Sequence, residues 1–547
     1  MNSKPFLFIA ILLISQSVKV NAQEFYWVAF TDKNNSEFSI SSPEKYLSEC
    51  SIQRRAKQNI LIDSLDLPVN SNYIDSILII GAELVHASKW LNGITVKTEI
   101  SSFQNKVLEF SFVNDVQLTK PANTIKSTVN KFNEIEVTDK DSIDTSFYGA
   151  SVYQTGLMNG QFLHNKGYNG EGMQIAILDA GFLNTDKYGA VDSLWVNNQI
   201  LGVKDFVNPN SVIFDENYHG MSVLSCIGGN VPGSLIGTAR KASFWLIRSE
   251  DANTEYIIEE DNWVAAAEFA DSVGVDIINS SLGYSEFEDP ITNHTYANMD
   301  GKTTRVTKGA NIAASRGILV FASAGNEGNN SWKYIIAPSD GDNVIAVGAV
   351  DKNGDPAYFT SYGPAADGDI KPNVTGVGQN TYLQRSDGEL GFASGTSFSS
   401  PVMAGMAACL WQAAPNVTAR EIKFAMEISA SSFLNPDSLL GYGIPDFEKA
   451  WDLFFPMGVS SQFEGKDWFV YPNPIRNFLI VQKNGVVNSD EILIEIYTLE
   501  GRLINKWIKP NNPKITLSNI GWLPQGMFLL KISSDEKSQT IKLNKIH

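Results

Sequence analysis

The stretch Met173-Gln174-Ile175-Ala176-Ile177-Leu178-Asp179-Ala180-Gly181 is an apolar run that ends on a carboxylate and a glycine. Such a run, without polar alternation, reads as a strand buried on both faces. Others of the same texture follow: Phe244-Trp245-Leu246-Ile247, Val275-Asp276-Ile277-Ile278-Asn279 and Ile318-Leu319-Val320-Phe321-Ala322. Helical patterns separate them, from Gly220, over 260–272 and over 305–316. Buried strands alternating with helices build a parallel sheet covered on both faces, so the expected class is α/β. Residues 286–308 are polar and irregular and read as a surface insertion.

The texture differs on either side. Residues 24–118 read as a small α+β module, with a strand at Glu24–Thr31 and a helix over 43–60 opened by Ser42-Pro43. Further strands are expected at Ile77-Leu78-Ile79-Ile80 and Gly93–Lys97. Polar residues 120–147 form an exposed linker of the kind that proteases nick. At the start, Lys4 precedes the apolar run Pro5–Ile14, and Val20-Asn21-Ala22 offers a cleavage site. That is the layout of a secretory signal peptide. The other reading is a membrane anchor, but a span needs about 20 apolar residues. No other stretch reaches that length. At the far end, short runs such as Phe478–Val481, Ile492–Tyr497 and Met527–Ile532 are parted by turn signals such as Glu500-Gly501. This is an all-β sandwich pattern. The expected boundaries are therefore 1–22 signal, 23–147 module and linker, 148–456 α/β domain, 457–467 linker and 468–547 sandwich.

Composition narrows the function. A length of 547 residues points to several domains, or to one large domain with appendages. The 60 acidic and 42 basic side chains leave a net charge of −18, which removes the basic footprint of a nucleic-acid binder. Three cysteines, Cys50, Cys226 and Cys409, are too few for a disulfide framework or a Cys-rich zinc site. Cys226 and Cys409 fall on helical patterns and read as buried thiols; a bond between them needs those helices to be close. His86, His164, His294 and His547 lack metal-ligand spacing, so no metal site is assigned.

Three segments of the α/β region carry chemistry. Asp179 ends its strand, His219 stands before Gly220 at a helix start, and Ser397 lies in Gly395-Thr396-Ser397-Phe398-Ser399-Ser400-Pro401. A long apolar helix follows, with Pro401 expected in its first turn. Singly, these are a turn former, a helix-start histidine and an N-cap serine. Jointly they are a weak nucleophile, a base able to take its proton, and a carboxylate that orients the base. The chain order Asp…His…Ser is one of three known for this constellation. Ser397 at a helix N-terminus would also present its backbone N–H to a developing oxyanion. In Phe321-Ala322-Ser323-Ala324-Gly325-Asn326-Glu327-Gly328, Asn326 is a turn residue or a second oxyanion donor.

With these motifs in place, residues 150–455 resemble the subtilisin-like serine peptidase family. The marks are Ile177–Gly181, His219-Gly220, Asn279-Ser280-Ser281-Leu282-Gly283, Ala324-Gly325-Asn326 and Gly395–Pro401. The resemblance implies that Asp179, His219 and Ser397 form the triad and that Asn326 is the oxyanion donor. It also implies that Ser281, Leu282, Gly283, Ser323, Ala324 and Gly325 form strand edges that bind substrate by β-augmentation. Ala180, Met221 and Ser222 depart from the residues usual in the family, which bears on fine specificity. Residues 24–118 are similar to the family's inhibitory propeptide through Trp90-Leu91-Asn92-Gly93-Ile94-Thr95-Val96. The C-terminal 80 residues resemble the sorting domain of the type IX secretion system through Tyr471-Pro472-Asn473-Pro474, Tyr497–Arg502 and Leu523–Ile532. Together these imply a secreted or cell-surface serine endopeptidase made as a zymogen. Its partners would be protein or peptide substrates and the type IX secretion machinery, with no transmembrane segment in the mature chain. No cofactor is assigned; calcium is implied by the family alone, since no acidic loop has a diagnostic ligand pattern. Two other readings use the same residues. One is a non-catalytic surface adhesin on a peptidase fold. The other is a lipase or esterase, which the lack of a Gly-x-Ser-x-Gly elbow at Ser397 disfavours.

Overall fold

The computed structural model describes residues 23–122, 124, 131–132, 147–455 and, apart from short stretches, 468–545. The expected signal peptide and most of both linkers lie outside the described residues. The chain divides into two units, Met1–Ala450 and Trp451–His547.

The first unit is organised by a seven-stranded sheet. Its strands lie side by side in the order Ile200–Asp205, Ser243–Arg248, Gln174–Asp179, Ile277–Ser280, Leu319–Ser323, Ile345–Val350 and Val374–Val377. Every neighbouring pair is parallel. The Gln174–Asp179 strand comes first in the chain yet sits third, so strands are added on both sides of it. That reversal opens a crevice at the carboxyl ends of the strands, where α/β proteins place their sites.

Both faces of the sheet are covered, which is why these runs are apolar throughout. Ala176, Leu178, Ile278, Val320 and Ala322 pack with Trp263, Ala266, Ala267 and Ala310 of the Ile258–Val273 and Arg305–Ser315 helices. The Thr396–Ala413 helix crosses the opposite face, packed on four of the strands and on the His219–Gly228 helix. The 286–308 stretch is less superficial than its polarity predicts: Phe287 and Met299 join the sheet's core cluster. No described helix is long and apolar enough to cross a membrane.

Residues 24–120 form the expected α+β module. Its antiparallel sheet has the order Ala82–Ser88, Gly93–Thr98, Glu24–Phe30 and Val113–Lys120. Ile77-Leu78-Ile79-Ile80 is not a strand. It closes the Ser71–Leu78 helix, where Tyr73, Ile74 and Ile77 share one face and Ile79 is left exposed. Four apolar residues cannot separate a strand from a helix end, and the Asn70 cap decides for the helix.

This module sits on the outer side of the Ile258–Val273 helix. Asp271, fully buried, accepts from Arg54 at 2.5 Å and Arg55 at 2.9 Å and pairs with Lys89 at 3.0 Å. Arg55 also meets Asp66 at 2.6 Å, and Asp66 meets Arg316 at 3.1 Å. Glu268 accepts from Ser88 Oγ and the backbone N–H groups of Lys89 and Trp90. Burial alone would raise the Asp271 carboxyl, but Lys89, Arg54 and Arg55 hold it far below the usual carboxylate range. Removing one member of such a network strands the others as buried charges.

The second unit is a sandwich of two antiparallel sheets. One holds Trp468–Tyr471, Leu479–Lys483 and Lys514–Leu517; the other holds Leu503–Pro510, Glu491–Thr498, Gly526–Ser533 and Ser538–Lys545. Trp468, Leu479 and Val481 interlock with Ile494, Ile496, Leu530 and Ile532 in one core.

Cys226 and Cys409 are buried and unbonded, and Cys50 is exposed. Burial pushes both buried thiols well above their ordinary range, so they stay protonated. Iodoacetamide is therefore expected to label Cys50 in the folded precursor and spare the other two, by peptide mapping. Asp271→Asn is expected to weaken the hold on the 24–120 module by at least about 100-fold in Kd once the linker is nicked. Gel filtration of the nicked protein checks this; an unchanged complex would contradict it.

Candidate active site

Asp179 ends its strand at the switch point and is fully buried. His219 opens the His219–Gly228 helix directly above it. Nδ1 of His219 lies 2.9 Å from Asp179 Oδ1 and 3.1 Å from Oδ2. A carboxylate can only accept, so Nδ1 carries the proton and Nε2 is left as the basic nitrogen. Asp179 Oδ1 also accepts from the Ala180 N–H at 2.7 Å, which holds the carboxylate in place. The close approach needs Gly220. A Cβ there would come within 2.5 Å of the Gly181 carbonyl and 2.9 Å of Asp179 Cβ.

Ser397 sits in the first turn of the Thr396–Ala413 helix. Pro401 lies four residues further on, beyond the first turn where it was expected. Its missing N–H removes the helical partner of the Ser397 carbonyl. The Ser281 hydroxyl takes that place, donating to Ser397 O at 2.8 Å. In return, the Ser397 hydroxyl donates to Ser281 O at a long 3.4 Å. Ser400 Oγ donates to Asn279 Oδ1 at 2.8 Å, a second tie between this helix and the Ile277–Ser280 strand. Long hydrogen bonds at such a hydroxyl commonly tighten only with substrate in place.

Asn326 follows the next strand, and its orientation is decided by chemistry. The Thr396 N–H can only donate, and it lies 2.9 Å from Asn326 Oδ1. Thr396 Oγ1 donates to the same oxygen at 3.0 Å and accepts from the Gly325 N–H at 3.2 Å. The amide nitrogen, a double donor, is therefore turned toward the Gly395–Ser397 corner. Gly325 holds φ +111° where a Cβ would meet Ser361 Oγ at 2.6 Å, so only glycine serves there.

Ser397, Thr396, Asn326 and Gly325 border one cleft of about 490 Å³. Ser281, Leu282 and Gly283 line one wall, Ser323, Gly325 and Asn326 the other, with Ile336 below and Ser397 at the corner. Leu282 and Gly283 make no backbone hydrogen bond among the described residues, as suits an edge able to pair with an extended chain. Ala324 is different. It is turned inward against Ile335 and Ala365, with its N–H and C=O paired to Val347 and Ile336. Alternating strand geometry sends its side chain away from the cleft that its neighbours line.

Several participants escape a reading of the sequence. Phe132, from the polar linker, packs on His219 with ring centroids 4.3 Å apart and planes tilted by 33°, and it lines the cleft together with Lys131. Glu250 and Glu255 also line it. The only signal for these acids is a dense acidic stretch at 250–261, which looks like an ordinary solvated face.

The subtilase family profile matches residues 170–443. The chain belongs to the subtilase family. A profile described as the peptidase S8 propeptide domain of Bacteroidota matches residues 25–134, and one for a secretion system C-terminal sorting domain matches residues 469–545. Subtilisin BL of Lederbergia lenta is 30% identical over 52% of this chain and 93% of its own. The thermostable alkaline protease of Halalkalibacterium halodurans is 29% identical over 53% of this chain and 70% of its own. Subtilisin NAT of Bacillus subtilis subsp. natto is 26% identical over 62% and 82%. This subtilase is thus a subtilisin-like serine peptidase, made with a propeptide and sent out of the cell or to its surface.

The tight packing at Gly220 yields a direct test. Gly220→Ala is expected to push His219 off Asp179 and lower kcat at least about 10-fold with the fold retained by circular dichroism. An unchanged kcat would show that the subtilase's activity does not depend on this contact.

Proposed function

We propose that this subtilase cleaves peptide bonds by acyl transfer through Ser397, His219 and Asp179. The observation that carries the reading is the buried Asp179–His219 pair at 2.9 Å, with the ring of Phe398, next in the chain to Ser397, 5.8 Å from that of His219. His219 Nε2 takes the Ser397 proton as Oγ attacks the scissile carbonyl. Asp179 holds the ring and offsets the imidazolium charge. The tetrahedral oxyanion receives the Asn326 Nδ2–H and the Ser397 backbone N–H, the latter aided by the helix dipole. Collapse gives the acyl-enzyme, His219 protonates the leaving amine, and water repeats the cycle with His219 as base. Ser281–Gly283 would hold the substrate backbone as an added strand, with Ser323 and Gly325 as the facing wall and Ala324, its backbone groups already paired, behind it.

The same reading covers the precursor. The 24–120 module and the linker segment in the cleft keep the enzyme closed until the linker is cut between 120 and 147. The sandwich would be the part recognised by type IX secretion machinery. Calcium is the ion that kinship with subtilisins suggests. Among the described residues, Glu250, Glu255 and Glu259 form one group with oxygens within ligand reach of each other. The Lys131 ammonium already fills it. Those residues do not fit a resident calcium in the precursor, and no step above needs one.

Ser397→Ala is expected to abolish casein hydrolysis and to leave the precursor uncut between module and peptidase domain. Retained casein cleavage would refute the assignment. Asn326→Ala should keep KM within a few-fold and lower kcat about 100- to 1,000-fold, the effect of losing such a donor in subtilisin. Steady-state kinetics on a peptide substrate separate the two constants.

A further inference from the structure

Lys131 is a surface-type residue in an unusual place. Its side chain is only 11% exposed, and its ammonium sits among three glutamates. It lies 2.7 Å from Glu255 Oε2 and 2.7 Å from Glu259 Oε2, also donates to Glu250 Oε1, and reaches the Asp251 carbonyl at 3.2 Å. Two of the three acids are aimed by other groups of the protein. Tyr284 Oη donates to the other oxygen of Glu250 at 2.9 Å, and the Tyr256 N–H to the other oxygen of Glu259 at 3.2 Å. Glu255 Oε1 is buried with no hydrogen-bond partner among the described residues.

Three carboxylates held this close repel one another. Burial, with Glu250 and Glu288 adding to it, pushes the Glu255 carboxyl up to about 8 even with Lys131 pulling it down. Burial and Glu250 likewise hold Glu259 well above its ordinary range. The cage is relieved by a cation seated in it or, failing that, by taking up protons. Its occupant comes from the linker, one residue before the phenylalanine that packs on His219. The cage opens on the cleft that Ser281–Gly283 and Ser397 line.

We propose that Glu250, Glu255 and Glu259 form an acidic subsite for a lysine or arginine side chain of the substrate, next to the substrate residue that packs on His219. Lys131-Phe132 is the in-chain occupant of that subsite, and its departure leaves the cage open to a substrate cation. The proposal rests on the peptidase reading above. A divalent metal is the weaker candidate, because calcium takes six to eight oxygens and the cage offers three carboxylates and one carbonyl.

The test uses the secreted enzyme and eleven-residue peptides spanning 128–138, with position 131 as Lys, Arg, Met or Glu. Each peptide competes against casein hydrolysis, so those that are cut and those that are only held both register. The lysine and arginine peptides should inhibit at concentrations about 10- to 100-fold lower than the methionine peptide, with the glutamate peptide weakest. In the Glu250→Gln/Glu259→Gln double variant the lysine-to-methionine ratio should fall below about threefold. Equal inhibition by the lysine and methionine peptides in the wild type overturns the subsite, and needs no variant to read. A lysine preference that survives the double substitution also overturns it. So does a calcium-dependent rise in casein hydrolysis with the two peptides still equal, which would assign the cage to the ion. Casein hydrolysis without peptide competitor is the separate check. Its absence fails the peptidase reading, whereas its presence with equal peptides fails the subsite alone.

Discussion

A parallel sheet must be buried on both faces, and the rest of the catalytic unit follows from that constraint. The crossovers that link parallel strands become helices, and the helices cover the faces. Because strands are added on both sides of Gln174–Asp179, their carboxyl ends part into a crevice. Asp179 ends its strand at that crevice, and Ser281 and Asn326 follow strands that end there. His219 and Ser397 enter it at the starts of two helices packed on each other. Each group therefore stands on a rigid element, so its position costs little reorganisation during the reaction.

A small polar network sets the fine geometry. Pro401 cannot donate, and the carbonyl it leaves free is the point where Ser281 fastens the Ser397 helix to the neighbouring strand. Thr396 does the equivalent for Asn326 and Gly325. Glycine is required where backbones nearly touch, at Gly220 beside Asp179 and at Gly325 beside Ser361. The candidate catalytic groups and the residues that position them thus lie in the same few segments.

Much of this was legible in the sequence. Continuous apolar runs mark doubly covered strands, and Asp179, His219 and Ser397 stand at element ends where turn residues and caps make boundaries visible. What was hidden has physical reasons. Ile77–Ile80 is too short for periodicity to separate strand from helix end. Leu503–Pro510 and Ser538–Lys545 carry polar residues on their exposed side, so their apolar signal is weak. Ala324 was placed in the cleft by its neighbours, yet strand alternation turns it away. The Glu250–Glu255–Glu259 cage is scattered over ten positions and reads as a solvated acidic face. Only its partner explains it, and Lys131 lies in a polar linker with no pattern of its own.

On the proposed reading, charge holds the precursor closed at two places around the Ile258–Val273 helix. The Arg54–Arg55–Asp271 network ties the module to the Ile258–Val273 helix, and the glutamate cage holds Lys131 at the cleft. Both are buried, so they depend on their partners being present more than on solution salt. What they guard is the serine, and the account rests on that serine being the nucleophile. The most direct measurement is to treat the processed enzyme with a fluorophosphonate and locate the adduct by peptide mass spectrometry. The account predicts a single adduct on the peptide containing Ser397, lost when the protein is unfolded before treatment. An adduct on another residue, or none on folded and processed protein, would contradict it.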